Sequence, residues 1–282
     1  MISADGDIDF LLFNLADFVV DEGDFSVDKD IKADSGSFGS VVKVENKDEK
    51  IFARKELKIN RAFGHQPKYV YREVIALSKT NCISLSKLRG FSISQKRDKA
   101  YIYTDFYPNG NLDDYVTNSL SNRYSTLTAQ ELTVIAYGIA YGCYKFHELG
   151  FIHRDIKPEN IMLDENREPV IVDFGTARTT ESEFDTDGFT KIVTPGYGAP
   201  EVANSMSQTA VYTKSVDVFS YGRVLFAMAL LQSPLDNSKE LYIPIKLGIR
   251  NPPITIPLPD ELKTLIEECQ SFEDILGRFQ SG

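Results

Sequence analysis

The chain has 282 residues, which is enough for one large domain or for two lobes with separate cores. Its hydrophobic content of 42% and charged content of 26% are ordinary for a globular protein, and its net charge of −10 argues against binding to nucleic acid or anionic lipid. No apolar run approaches the length of a membrane span, and three widely spaced cysteines predict reduced thiols in a cytoplasmic or nuclear protein.

The first 22 residues mix acidic and apolar side chains and lack the basic start of a signal peptide. We treat this stretch as an N-terminal extension and keep two alternatives for it. It is either a short helix that docks on a neighbouring lobe or a partly ordered segment. The side chains that would dock are Phe10, Leu11, Phe13, Leu15 and Phe18.

Residues 23–106 predict a small, mostly antiparallel β-lobe that carries one helix. Runs rich in β-branched and aromatic residues alternate with polar turns, and the turn at 46–50 is typical of a hairpin loop. The helix is predicted over 67–79, with Pro67 at its start and apolar residues recurring on one face. Strand-like periodicity runs over 25–57, with β-forming residues at 41–44 and 51–53, and two further strands are predicted over 88–94 and 100–106.

Residues 107–282 predict a larger, mainly helical lobe, after a turn-rich break at 107–111. Thr128 followed by Glu131 is a capping box that starts a long helix, and Gly150 predicts its end. Further helices are expected over 214–231 and 260–269. The fold class is therefore α+β with two lobes.

Two patterns in the β-lobe suggest phosphate binding, although each is weak alone. Gly36 and Gly39 lie in a predicted hairpin turn, where backbone amides can approach phosphate oxygens closely. Lys55 ends the next strand, and Glu73 on the following helix could hold its flexible side chain through an ion pair. An exposed pair of little energetic value is the alternative.

The strongest pattern is His-Arg-Asp-Ile-Lys-Pro-Glu-Asn at 153–160, followed by Asp-Phe-Gly at 173–175 after an apolar strand. Asp155 can orient a substrate hydroxyl and accept its proton, and Lys157 can offset charge on a transferred phosphoryl group. Asn160 and Asp173 supply the hard oxygen ligands that Mg²⁺ prefers. The order and spacing of the two strings indicate phosphoryl transfer.

With these motifs the chain resembles the eukaryotic protein kinase family, serine/threonine type, over about residues 25–280. The resemblance implies a two-lobed kinase fold that uses ATP and Mg²⁺, with Lys55 and Glu73 as an activating ion pair. Thr104 corresponds to the gatekeeper beside the adenine. The residues that would contact the nucleotide are Gly36, Gly39, Val41, Ala53, Lys55, Thr104, Asp105, Tyr107 and Met162.

The segment 194–201 resembles the family's substrate-docking loop and points to protein substrates, with Thr194 bridging Asp155 and Lys157. Lys157 and Thr194 favour serine or threonine over tyrosine as the acceptor, and some features resemble the tyrosine-kinase-like branch. Asp217 corresponds to the buried aspartate that braces the catalytic loop. Arg278 is a candidate partner for Glu201.

Arg154 directly precedes Asp155, and kinases with this arginine are often switched by a phosphate that pairs with it. Thr190 is the first candidate for such a phosphosite and Thr186 the second, which implies an upstream kinase. The acidic net charge is compatible with basic protein substrates. Because Asp34 replaces a glycine of the usual loop, a pseudokinase or an ATP-binding regulatory module is kept as the alternative function.

Overall fold

The computed structural model describes residues 4–27, 34–36, 39–59, 67–117, 127–180, 194, 196–199, 213–230 and 260–270. Contacts divide the chain into two compact units. Unit 1 comprises Met1–Pro108 and Asp173–Ala177, and unit 2 comprises Asn109–Val172 and Arg178–Gly282. The short segment Asp173–Ala177 groups with unit 1, although it lies inside the range predicted for the second lobe.

Unit 1 is built on a six-stranded antiparallel sheet in the order β1-β3-β4-β6-β5, with β2 also paired to β3. The hairpin turn between β3 and β4 lies where the polar run at 46–50 predicted it. The strands are β1 Phe25–Val27, β2 Asp34–Gly36, β3 Gly39–Asn46, β4 Ile51–Lys58, β5 Gly90–Ile93 and β6 Lys99–Asp105.

Helix α2 of unit 1 spans Pro67–Lys79, as the sequence predicted. Proline fits the start of a helix because the first backbone amides have no partner within the helix. Val70, Val74 and Leu77 are buried on one face, and Glu73 lies on the same face with only 3% of its surface exposed. A carboxylate buried among apolar side chains requires a charged partner, which Lys55 of β4 supplies.

Helix α1, Ala4–Asn14, packs against α2, so the first alternative for the N-terminal segment, a docked helix, is the one observed. Ile8 and Leu11 are buried, and the Phe10 ring meets the Tyr71 ring of α2 edge-on at 5.6 Å. Phe13 was expected to dock as well, but its side chain points away and is 84% exposed.

Replacing Leu11 by alanine should destabilise the protein, because the side chain is fully buried and its removal leaves a cavity. The expected loss of unfolding free energy is about 2–4 kcal/mol, measured by urea denaturation. The matched control is Phe13→Ala on the same helix, which should change the stability little. Equal effects of both substitutions would contradict the docking of α1.

Unit 2 contains four helices and two short antiparallel ribbons among its described residues. The ribbons pair β7 with β10 and β8 with β9. The strands are β7 Phe151–Ile152, β8 Ile161–Leu163, β9 Pro169–Ile171 and β10 Arg178–Thr179. The helices are α3 Leu112–Thr117, α4 Ala129–Glu148, α5 Ser215–Leu230 and α6 Asp260–Gln270.

The long helix α4 begins and ends where local sequence signals predicted. The Glu131 amide donates to Thr128 Oγ1 at 3.2 Å, and Glu131 Oε2 accepts from the Thr128 amide at 2.8 Å, which is the expected capping box. Gly150 follows the helix with φ +79°, a backbone conformation that glycine adopts without strain. In the part of the chain that is described, no helix is long and apolar enough to cross a membrane.

Helix α5 is largely buried in unit 2. Leu225 and Phe226 pack with Ile266 of α6, while Val216 and Phe219 pack with Ile152 and other buried residues. This packing fixes the helix next to β7, directly before the predicted catalytic string. Polar side chains on α5 can therefore reach the backbone of that string.

Candidate active site

The predicted pair of Lys55 and Glu73 is formed within unit 1. Lys55 lies on β4 and its Nζ is 2.6 Å from Glu73 Oε1 on α2. Both side chains are largely buried, with 14% and 4% of their surfaces exposed, so the alternative of a solvent-exposed pair does not hold. The ion pair instead fixes the position of the lysine ammonium group.

Asp173 is a second anionic partner of Lys55, at 2.7 Å between Asp173 Oδ1 and Lys55 Nζ. This contact joins Asp173 to β4 of unit 1. Asp173 has φ +62°, and it begins a short turn that packs against α2. A side chain at Gly175 would place its Cβ 3.2 Å from Glu73 Oε2 and 3.3 Å from Asp173 Oδ1, so the two carboxylates would have to shift slightly to admit it.

The electrostatics of this cluster keep the lysine charged. Burial alone would lower the pKa of Lys55, but the charges of Asp173 and Glu73 raise it above its ordinary value. For Glu73, burial is the largest influence and it raises the pKa of the carboxyl group, with Lys55 opposing. A protonated Lys55 is therefore available to contact the phosphates of a nucleotide.

The predicted nucleotide-binding residues of unit 1 lie on neighbouring strands. Gly36 pairs with Gly39 at the end of the β2–β3 hairpin, and Ala53 of β4 pairs with Thr104 of β6. Val41 on β3 pairs with Lys55. The side chain of Asp34 lies outside the description, so its effect on nucleotide binding stays a prediction.

The end of β6 is held by contacts that the sequence did not predict. The Arg89 guanidinium donates two hydrogen bonds to the Asp105 carboxylate, at 2.9 and 2.8 Å, and the Tyr107 hydroxyl donates to Ser86 Oγ at 3.3 Å. These contacts involve the side chains of Asp105 and Tyr107, two of the predicted nucleotide-binding residues. Met162, the remaining predicted nucleotide contact, lies on β8 in unit 2 and is partly buried.

In unit 2, Asp155 forms a hydrogen-bonded triangle with Lys157 and Thr194. Thr194 Oγ1 donates to Asp155 Oδ1 at 2.6 Å and accepts from Lys157 Nζ at 3.1 Å. Lys157 Nζ is also 2.8 Å from Asp155 Oδ2. The threonine hydroxyl thus lies between the predicted proton acceptor and the cation that would stabilise the transferred phosphoryl group.

Asn160 is fixed against the same aspartate. Its Nδ2 donates to Asp155 Oδ2 at 2.9 Å and to the Asp155 carbonyl at 2.8 Å. Both bonds use the amide nitrogen. Asn160 Oδ1, the type of atom that a Mg²⁺ ion requires as a ligand, takes no part in these two bonds. The oxygen donors of Asn160 and Asp173 fit Mg²⁺ chemically.

The predicted catalytic segment at 153–160 is braced from α5 by Asp217, which is 1% exposed. Asp217 Oδ2 accepts from the His153 amide at 2.8 Å, and Oδ1 accepts from the Arg154 amide at 2.7 Å. Arg154 has φ +72°, a conformation that is unfavourable for a residue with a side chain. The two hydrogen bonds hold the backbone in this conformation immediately before Asp155.

His147 on α4 is a further partner of Asp217, at 2.8 Å between His147 Nε2 and Asp217 Oδ2. Sequence reasoning missed this role, because nothing in the spacing of His147 indicates a contact with α5. Burial alone would raise the pKa of Asp217, but the hydrogen bond and charge of His147, with those of His153, lower it below its ordinary value.

His153 links the string to the strand before Asp173. Its Nε2 is 3.0 Å from the Val172 carbonyl, and its Nδ1 accepts from the Asp155 amide at 3.3 Å. A carbonyl can only accept, so His153 Nε2 is the donor of the first hydrogen bond and Nδ1 is the acceptor of the second. His153 therefore connects the backbone of Asp155 to that of Val172.

Substituting Asp217 with asparagine should cost about 1–3 kcal/mol of stability, because one buried amide loses its acceptor. The pKa of Asp217 is lowered in the folded protein. The stability that its ionised carboxyl contributes is therefore present above the ordinary pKa and is lost as the pH falls through the folded value. In urea unfolding of Asp217→Asn, we expect the loss of unfolding free energy to be the same from pH 8 to pH 5. Asp48→Asn, an exposed turn substitution, is the control; a loss no larger than in this control would contradict the bracing role.

Several predicted residues fall outside the description, and their roles stay predictions. They are the regulatory candidates Thr186 and Thr190 and the proposed pair Glu201 and Arg278.

The protein kinase domain family matches residues 30–274 of the chain. The PR5-like receptor kinase of Arabidopsis thaliana is 35% identical over 198 residues, which are 68% of this chain and 28% of that protein. A proline-rich receptor-like protein kinase of the same plant is 33% identical over 234 residues, 82% of this chain and 29% of the relative. A G-type lectin S-receptor-like serine/threonine-protein kinase, also from this plant, is 34% identical over 200 residues, 70% of this chain and 23% of the relative.

The chain belongs to the protein kinase domain family, as the resemblance of its motifs implied. The two units carry the α+β architecture expected of that fold, with a β-sheet in unit 1 and mainly helices in unit 2. The matched part spans less than a third of the length of each of these relatives.

Proposed function

We propose that this chain transfers the γ-phosphoryl group of ATP to serine and threonine hydroxyls of protein substrates. The observation that carries the proposal is the triangle of Asp155, Lys157 and Thr194. It joins a proton acceptor, a cation and a residue of the predicted docking loop within hydrogen-bonding distance.

Each residue has a defined part in the proposed reaction. Asp155 orients the substrate hydroxyl and accepts its proton as the hydroxyl oxygen bonds to phosphorus. The bond between the γ-phosphorus and the bridging oxygen breaks, and ADP leaves. Lys157 offsets the negative charge on the transferred group, and Lys55 contacts the remaining phosphates.

Asn160 and Asp173 would hold Mg²⁺, with oxygen donors of the kind that this ion prefers. When bound, the ion neutralises charge on the phosphate oxygens. The relatives that are named as serine/threonine-protein kinases support the choice of acceptor. The alternative, a pseudokinase or ATP-binding regulatory module, is not favoured, because Lys55, Glu73 and Asp155 are all present and their side chains are paired.

Three finer proposals accompany this function. The acidic net charge of −10 favours substrates with basic residues near the acceptor. Phosphorylation of Thr190, or of Thr186, by an upstream kinase would activate the enzyme through Arg154. The cysteine content favours a cytoplasmic or nuclear location.

The acceptor is tested with an array of peptides that differ only in a central serine, threonine or tyrosine, flanked by either basic or acidic residues. The purified chain is incubated with ATP labelled at the γ position and Mg²⁺. We expect label on serine and threonine peptides, stronger with basic flanks, and none with Asp155→Asn. Label on tyrosine alone would contradict the proposed acceptor.

A further inference from the structure

Arg223 is an unusual residue for its position in unit 2. It lies in the middle of α5, between Gly222 and Val224, and 0% of its surface is exposed. Arginine is almost never fully buried unless its guanidinium group is hydrogen-bonded. The partner of Arg223 therefore indicates what the residue does.

The Nε atom of Arg223 donates a hydrogen bond to the Gly196 carbonyl at 2.8 Å. The guanidinium group lies over the Phe226 ring, 5.1 Å from its centre, so its plane is supported from the same helix. Gly196 has φ +86°, which fits a glycine in a tight turn. The contact joins a rigid helix to the segment that resembles the docking loop.

The turn that Arg223 contacts is the one that presents Thr194. The Tyr197 and Gly198 amides both donate to the Thr194 carbonyl, at 3.2 and 3.0 Å. The Thr194 hydroxyl in turn donates to Asp155 and accepts from Lys157, as described above. A continuous series of hydrogen bonds therefore connects the turn held by Arg223 to the proposed proton acceptor.

Burial lowers the pKa of Arg223 to about 10, which leaves the guanidinium group protonated at neutral pH. A hydrogen bond from a charged donor is stronger than one from a neutral donor. An apolar residue in this place would pack on the neighbouring side chains but would leave the Gly196 carbonyl without this donor.

We propose that Arg223 is a positioning residue that holds the turn containing Thr194 and Gly196 in the conformation that receives a protein substrate. The proposal rests on the proposed kinase function. It assigns a role to a residue outside the catalytic and docking motifs. Arg223 acts through Gly196 and Thr194 and touches neither the substrate nor the nucleotide.

The test compares Arg223→Met, which keeps the length but removes the donor, with Arg223→Lys, which keeps a charge and a donor. With the best peptide from the array, Arg223→Met should raise the peptide KM about tenfold, the effect of losing one charged hydrogen bond. The KM for ATP should change less than twofold, and hydrolysis of ATP by water should be unchanged. Arg223→Lys should be intermediate.

Arg167→Met is the matched control, because Arg167 is also in unit 2 and pairs with Glu131 at 2.9 Å, away from the turn. It should leave the peptide KM unchanged. An unchanged peptide KM in both Arg223 variants would overturn the proposal, as would equal increases in the KM for peptide and for ATP. If Arg223→Met does not fold, the peptide KM of Arg223→Lys decides whether the proposal holds.

A readout that needs no activity separates this proposal from the proposed function. Amide hydrogen exchange at Tyr197 and Gly198 should be faster in Arg223→Met than in the wild-type chain and in Arg167→Met. An inactive wild-type chain with this exchange difference would contradict the kinase proposal alone. Unchanged exchange would overturn the role of Arg223 whatever the activity.

Discussion

Replacing Asp155 by asparagine should lower the rate of phosphoryl transfer by about 10²–10⁴-fold, because an amide cannot accept the proton of the substrate hydroxyl. Asparagine has the shape of aspartate, so Thr194 and Asn160 can stay near their positions. The loss is therefore expected in kcat, with the KM for ATP changed little.

The measurement is a steady-state assay with a peptide acceptor, together with ATP binding by calorimetry. The matched control is Asp164→Asn, an aspartate of unit 2 whose Oδ1 accepts from the amides of Asn166 and Glu168 in a surface turn. That variant should retain activity. If Asp155→Asn transfers phosphate at the wild-type rate, Asp155 is not the proton acceptor.

Replacing Lys55 by methionine should reduce both activity and stability. The ammonium group contacts Glu73 and Asp173 at 2.6 and 2.7 Å, so its removal leaves two carboxylates close together, one of them buried. Removing one partner of a buried pair costs about 3 kcal/mol or more. Loss of the phosphate contact should lower kcat/KM for ATP by about 100-fold or more, as for other removed charge-stabilising donors.

A double variant separates the two effects. Lys55→Met combined with Glu73→Leu removes the unpaired buried carboxylate, so thermal and urea stability should recover while activity stays low. Lys58→Met, at the exposed end of the same strand β4, is the control and should behave like the wild-type chain. Recovery of activity in the double variant would contradict the role of Lys55 in phosphate binding.

Local signals in the sequence predicted the elements that position the site. Pro67 starts α2, and the Thr128 and Glu131 pair starts α4, because capping depends on residues within one turn of the helix. The β3–β4 hairpin follows from its polar turn for the same reason. The residues that make these contacts are close in sequence, so their spacing can be recognised from the sequence alone.

Contacts between distant residues were harder to predict. The motifs at 153–160 and 173–175 predicted roles for Asp155 and Asp173, but they did not predict that Asp173 would contact Lys55, which is 118 positions away. His147 meets Asp217 over a separation of 70 positions, with no motif joining them. In α1, Phe13 was predicted to dock. The surface of α2 determines which face of α1 docks, and that face includes Ile8 instead of Phe13.

Arg223 is an exception to the apolar pattern of α5, and such an exception indicates that the charged side chain has a specific partner. A charged residue among Val224, Leu225 and Phe226 on a buried helix contradicts the apolar pattern of α5. The sequence alone does not say what the charge meets. The hydrogen bond to Gly196 gives the reason, since a backbone carbonyl of the docking segment accepts from the buried guanidinium group.

The central claim is that this chain is an active serine/threonine kinase. The most direct measurement is a time course of γ-labelled phosphate transfer from ATP with Mg²⁺ by the purified wild-type chain, with identification of the labelled amino acid. We predict label on serine or threonine that accumulates with time and disappears in Asp155→Asn. A wild-type chain that binds ATP yet transfers no phosphate would contradict the account, as would transfer that persists in Asp155→Asn.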